Sequence, residues 1–259
     1  MARLRWIALL ALAGHAACGH GPTLTPASQP DVALARARRE FHRGDCTHAM
    51  VTLRRLTYEL GPTQPELAEV RYTLAECSFQ TGDKVQAAHE FRQVADQYPT
   101  SEYAPLALLR AGDANLRLWR RPELDPTYGQ SALAIYQELA GRYPGTAAAA
   151  RAQQHVQQLR EWFAEKDYKN GMFYLKRFGV HAYDSAIIYF KDVIASYPGT
   201  ARVPDALLRL VEIYRAINYT DELKETCTHL RRFYPRADGL EKTCPADSSV
   251  GTASTPAPS

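Results

Sequence analysis

The side chains that could do covalent or metal chemistry in this chain are its eight histidines and five cysteines. The nearest approach to a nucleophile cluster is Asp45-Cys46 with His48. A cysteine at a helix start can carry a depressed thiol pKa, so this trio is the place where a soluble thiol enzyme would have its centre. It comes with no separate pocket and no nameable oxyanion donor. The histidines form no HExxH and no pair at ligand spacing with a carboxylate. The sequence also lacks a glycine-rich phosphate loop, a G-x-S-x-G and a C-x-x-C. The expectation is a non-enzyme with no catalytic residues, no cofactor and no metal site.

The elements that carry these residues are repeated. Tyr-Pro recurs at Tyr98-Pro99, Tyr143-Pro144, Tyr197-Pro198 and Tyr234-Pro235. Twelve, eight and five residues before each proline stand Ala87, Phe91, Val94; Ala132, Tyr136, Leu139; Ala186, Phe190, Val193; and Leu223, Cys227, Leu230. A degenerate earlier copy ends at Gly61 with Ala49, Leu53 and Leu56. Such a triad lies on one helix face. Its small first residue lets a neighbouring helix come close, and proline then stops the helix. The unit is clearest from Tyr168 to Thr200. There Met172, Phe173, Leu175 and Phe178 lie close to one face of a helix, Gly179 joins it to the next, and Ala182, Ala186, Ile187, Phe190, Val193 and Ile194 form the second stripe. The pattern resembles the second helix of the tetratricopeptide repeat. Fold class is therefore all-α: a tetratricopeptide-repeat solenoid of about five helical hairpins with one long connecting helix.

Helix signals place the hairpins at 31–43 with 46–60, 66–80 with 83–98, 100–119 with 127–142, and 202–218 with 221–234. Asp31 is expected to cap the first helix, with Val32, Ala35 and Phe41 inward. Two spacings are long. Pro99 to Pro144 is 45 residues and Pro144 to Pro198 is 54, against 37 from Pro198 to Pro235. The first excess falls in the segment RRPELDPTY. The second reads as one helix of ~45 Å from Ala147 to Arg177, disturbed at Asn170-Gly171. Segments 31–145 and 146–235 then form N-terminal repeats and a long helix with C-terminal repeats. Residues 236–259 lose the pattern, and their low-complexity end reads as a disordered tail.

At the other end, residues 1–18 read as an export signal: Arg3 and Arg5, then an apolar stretch too short to span a bilayer. Ala16-Ala17-Cys18 resembles the bacterial lipobox, which makes Cys18 the lipidated residue. An ordinary secretory signal cut nearby is the alternative. Residues 19–30 read as a flexible tether. An exported chain meets oxidising conditions, and Cys18 aside four cysteines remain. Folding about Pro62 brings Cys46 level with Cys77, and a Cys227–Cys244 bridge would pin the tail to the last helix; four buried or idle thiols are the other reading.

Composition agrees with a globular body: 46% hydrophobic and 23% charged residues. A net charge of +3 is too small to argue for nucleic acid. Arginine pairs such as Arg38-Arg39 and Arg120-Arg121 read as solvated helix faces. A solenoid groove takes extended or helical peptide segments, and Arg71, Tyr72, Tyr103 and Arg110 are the candidate groove residues of the N-terminal half.

The order of repeats, insertion, long helix and lipobox-like start resembles the BamD (YfiO) family, tetratricopeptide lipoproteins of outer-membrane β-barrel assembly. Residues 31–235 carry the likeness, most closely in QYPTSEYAPLALLRAGDA (97–114), ELDPTYGQSALAIYQELAGRYPGT (123–146) and YLKRFGVHAYDSAIIYFKDVIASYPGT (174–200). The resemblance implies a non-catalytic scaffold on the periplasmic face of the outer membrane, held there by lipid. It implies unfolded outer-membrane protein precursors as cargo and a BamA-like POTRA-barrel protein as partner. Arg202, Arg209 and Arg215 on the last hairpin are the candidates for docking that partner. A rival reading is another periplasmic tetratricopeptide lipoprotein, a peptidoglycan-synthesis coordinator or a secretin pilotin. The first kind usually has an N-terminal coiled coil and the second more regular 34-residue repeats.

Overall fold

A computed structural model describes residues 29–245, so the signal (1–18), Cys18 and nearly all of the tether (19–30) lie outside the described residues, as do 246–259. Every regular element among the described residues is helical. Five hairpins follow one another: α1 (Pro30–His42) with α2 (Cys46–Glu59), α3 (Glu66–Thr81) with α4 (Lys84–Gln97), α5 (Tyr103–Leu118) with α6 (Thr127–Arg142), α7 (Ala147–Phe178) with α8 (Tyr183–Ser196), and α9 (Arg202–Ala216) with α10 (Thr220–Phe233). A 3-10 turn, Gly179–Ala182, joins α7 to α8, and a single-turn α11 (Leu240–Thr243) follows α10. The first helices touch in series, α1 to α3 to α5 to α7 to α9, and so form one face of the solenoid.

The repeat triads explain this stacking. Ala49, Leu53, Leu56, Ala87, Phe91, Val94, Ala132, Tyr136, Leu139, Ala186, Phe190 and Val193 are all fully buried. Each complete repeat then ends alike. Tyr98, Tyr143, Tyr197 and Tyr234 adopt nearly one backbone conformation, φ between −126° and −130° and ψ between 50° and 57°. The degenerate first copy, without proline, ends on extended backbone at Leu60 (ψ 132°). The tyrosines also sew the stack. Tyr98 packs against both the first and the central core, Tyr197 against both the central and the last. The Tyr143 hydroxyl donates to the Pro99 carbonyl at 3.0 Å.

The spine is α7, 32 residues and about 48 Å long. Ala148, Ala152, Leu159 and Phe163 enter the central core, while Ala164, Tyr168, Met172 and Leu175 enter the last. It runs unbroken through Asn170-Gly171, which corrects the disturbance read there. Gly171 is a notch: a Cβ at this position would come 2.7 Å from the Phe190 ring. The insertion after Trp119 braces the spine, since the Leu124 carbonyl accepts from Trp119 Nε1 at 3.4 Å and from Lys166 Nζ at 3.1 Å, and Glu123 pairs with Lys169.

Other expectations shift. Pro30, at the first helical position, opens α1 behind Gln29, and Asp31 lies inside its first turn. The buried stripe of α1 is Ala33, Leu34 and Ala37, with Phe41 packed beside it, while Val32 is 58% exposed. Phe173 and Phe178 also face outward, 56% and 48% exposed. Residues 236–245, expected to belong to a disordered tail, are ordered against the last hairpin. Leu240, Thr243 and Cys244 are buried, and α11 packs on α9. No helix among the described residues is long and apolar enough to cross a membrane.

Candidate functional site

A groove of about 1020 Å³ opens on the face made by the first helices. Helical spacing builds it. Arg110, Asp113 and Arg117 recur at three- and four-residue steps on α5, and Arg151, His155 and Trp162 line up on α7. Trp119 and Arg120, and Gly82 and Lys84 at the α3–α4 turn, also belong to its lining.

The floor is a fixed ion network. Arg110 grips Glu76 through both carboxylate oxygens, at 2.5 and 2.7 Å, and donates to Asp113 at 3.1 Å. Tyr72 donates to Glu76 at 2.9 Å and Tyr136 to Asp113 at 2.8 Å. Burial works against the Arg110 charge, yet its bonds to Glu76 and Asp113 outweigh that and hold the guanidinium above its ordinary value. Burial followed by Asp113 raises the Tyr136 phenol, which stays a neutral donor. Arg110 and Lys84 both lie over the Phe79 ring, at 4.1 and 3.8 Å from its centre.

The rim differs from the floor. Arg117, Arg120 and Arg151 are exposed and have neither ion pair nor hydrogen bond among the described residues. Lys84 adds to the positive field. Its ammonium is held below its ordinary value by burial and then by repulsion from Arg117 and Arg110. Trp162, half-buried, stands in the groove wall, edge to face and 5.5 Å from the fully buried Trp119 behind it. Uncommitted guanidinium groups beside one half-exposed indole suit a chain segment bearing carboxylates and aromatic side chains.

The expected groove residues separate. Arg110 lines the groove. Tyr72 and Tyr103 pack 5.3 Å apart against the central core, outside its lining. Arg71 faces a cleft of about 390 Å³ between the first two hairpins, with its Nε buried and unbonded. The rim arginines were missed because Arg120-Arg121 reads as a scattered pair. Their signal was Arg117, seven residues after Arg110.

The docking arginines were expected to be exposed, and two are not. Arg202 is half-buried between Glu165 and Asp205, and Arg209 is half-buried beside Glu212. Arg215 is exposed at its side but donates to the Thr243 carbonyl. The C-terminal half also offers solvent large apolar side chains. Phe173, Phe178 and Val180 (66% exposed) form a ridge at the end of α7, rimmed by exposed Lys176 and Arg177.

The cysteine trio does not assemble for catalysis. His48 bonds its own cap residue, Asp45, at 2.6 Å. The Cys46 thiol points into the core, donating to Gln80 Oε1 at 3.5 Å. Cys77 lies beside it, and burial pushes the Cys77 thiol up. Cys227 and Cys244 are joined as a disulfide. Among the described residues no three His, Cys, Asp or Glu side chains could share a metal ion.

Comparison with known proteins adds sequence kinship. The profile of a family described as YfiO, outer membrane lipoprotein, matches residues 26–230. Outer membrane protein assembly factor BamD of Caulobacter vibrioides is 26% identical over 217 residues, spanning 70% of this chain and 68% of that protein. Its namesake from Neisseria gonorrhoeae is 24% identical over 216 residues, spanning 80% and 79%. Among solved structures, a thermophilic TPR protein of Thermus thermophilus aligns over 83% of this chain and 96% of its own, at 17% identity and a TM-score of 0.41.

Proposed function

The chain belongs to the YfiO family of outer membrane lipoproteins, and from that premise we infer that it is a non-catalytic scaffold in the assembly of outer-membrane β-barrel proteins. Anchored through lipid on Cys18 at the periplasmic face, it receives unfolded barrel precursors with its N-terminal half. It holds a BamA-like POTRA-barrel protein with its C-terminal half. The names of the BamD relatives support the assembly role.

The observation that carries the reading is the rim of the groove: three cations with no ion pair or hydrogen bond among the described residues, beside the half-buried Trp162. Like charges crowded together repel, and an anionic segment seated among them relieves that repulsion. An unfolded chain brings both carboxylates and aromatic groups. Its binding must be brief, and rim charge serves that by speeding encounter more than it slows release. The partner is held by different means. The Phe173–Phe178–Val180 ridge has the apolar centre and basic rim of a lasting interface, and it replaces the self-paired Arg202 and Arg209 as the first docking candidate.

The test is a photo-crosslinker placed at Leu116 in the groove wall and challenged with an unfolded barrel precursor. Crosslinking that disappears with Arg117→Glu, Arg120→Glu and Arg151→Glu together supports the reading. Undiminished capture by the triple variant overturns it.

A further inference from the structure

The ends of a solenoid are where it frays, because a terminal hairpin has a neighbour on one side only. The C-terminal end is covalently closed. Cys227 of α10 is bonded to Cys244, with Cα atoms 5.7 Å apart. Arg231 adds bonds to the carbonyls of Cys244 and Pro245 at 2.8 and 2.6 Å.

The N-terminal end carries the parts of a matching closure. Cys46 opens α2 and Cys77 lies in the last turns of α3. Both are buried, 5% and 0% exposed, in the core that joins the first hairpin to the second. Both are free thiols, and Cys46 Sγ donates at 3.5 Å to Gln80 Oε1, one turn beyond Cys77 on α3. The two helices are antiparallel neighbours joined at one end by residues 60–65. The cysteines meet at the opposite end, so a bond between them would turn an open pair into a closed ring. The family is one of exported proteins, and the Cys227–Cys244 bond belongs to an oxidising compartment.

We propose that Cys46 and Cys77 are a second disulfide site, which staples the N-terminal hairpin to the rest of the solenoid as Cys227–Cys244 staples the tail. The oxidant is a thiol–disulfide oxidase of that compartment. One cysteine, as thiolate, attacks the oxidant's disulfide to give a mixed disulfide and one oxidant thiol. The second cysteine displaces the other oxidant sulfur. A Cys46–Cys77 bond forms, the oxidant's disulfide becomes a dithiol, and it takes up two electrons and two protons. Thiolate is scarce once these side chains are buried, so closure belongs to folding, before α1 and α2 settle on α3.

The test uses the full, membrane-anchored chain, quenched in acid, unfolded in N-ethylmaleimide and digested with trypsin without reductant. Residues 44–54 and 72–84 should be recovered as one linked species, separating into two peptides on reduction. Recovery of both peptides carrying N-ethylmaleimide overturns the proposal, as does either cysteine bound to any other thiol. A second measurement addresses stapling itself. Cys46→Ala with Cys77→Ala, Cys227–Cys244 left intact, should be cut after Arg43 about tenfold faster under native conditions, because the end hairpin opens more often. Equal cleavage rates would mean that the bond, if formed, staples nothing.

Discussion

The groove and the last hairpin use arginine in opposite ways. On the groove Arg110 is spent on the floor, while Arg117, Arg120 and Arg151 have no ion pair or hydrogen bond among the described residues. On the last hairpin Arg202, Arg209, Arg215 and Arg231 bond carboxylates or carbonyls of their own chain, and apolar Phe173 and Phe178 stand exposed at the end of α7. Free charge favours quick, salt-sensitive encounters, whereas exposed apolar surface favours burial that lasts. In the function we propose, the first is a receiving surface and the second a holding surface on one scaffold.

The comparison can be broken at several depths. The deepest is the core of the holding half. Phe190 is fully buried against Gly171 and Tyr168, so Phe190→Ala should cost about 3–5 kcal/mol. Because the central core lies on other residues of α7, calorimetry should show the C-terminal transition falling first, and a single shifted transition would mean that the halves are not separable. Next comes the rim. The triple glutamate variant of Arg117, Arg120 and Arg151 should weaken precursor binding about 100-fold at low salt, with a flattened salt dependence, measured by fluorescence anisotropy. On the ridge, Phe173→Ser with Phe178→Ser should weaken partner binding about tenfold or more while leaving the melting temperature nearly unchanged. The smallest effect is at the Arg202–Glu165 pair, where Arg202→Ala should cost no more than about 1 kcal/mol after solvent screening.

That pair also has a pH signature. Burial tends to raise the Glu165 carboxyl, but bonds from Arg202 and Lys169 prevail and hold it below its ordinary value. A carboxyl lowered by folding contributes stability above its unfolded value of about 4.3 and loses it as pH falls through the folded value. Acid denaturation of wild type and Arg202→Ala should therefore converge only as pH falls through the lowered folded value of Glu165, beneath the unfolded value of about 4.3.

The repeat was legible because its cause is local. Each triad sits one turn apart on one helix, so spacing alone exposes the face, and all twelve residues of its first four copies are buried. Helix ends were legible for the same reason: Gly82 takes a left-handed φ of 106° after α3, and Asp83 caps α4 at Gln86 N–H. What escaped depends on distant partners. Arg202 looks free until Glu165, 37 residues earlier, is seen beside it. Gly171 reads as a breaker until Phe190 is found in its notch. In α1 several apolar residues offer two phases, and packing on α2 and α3 chose Ala33, Leu34 and Ala37 over Val32. The rim arginines acquire meaning only when α5 and α7 come together.

The most direct measurement is a mild-detergent pull-down of the membrane-anchored chain as wild type, rim variant and ridge variant, with bound proteins identified by mass spectrometry. The rim variant should keep a POTRA-barrel partner and lose barrel precursors, and the ridge variant should do the reverse. Loss of both by either variant would contradict the division of labour, and recovery of a peptidoglycan synthase or a secretin in place of the POTRA-barrel protein would contradict the assembly role itself.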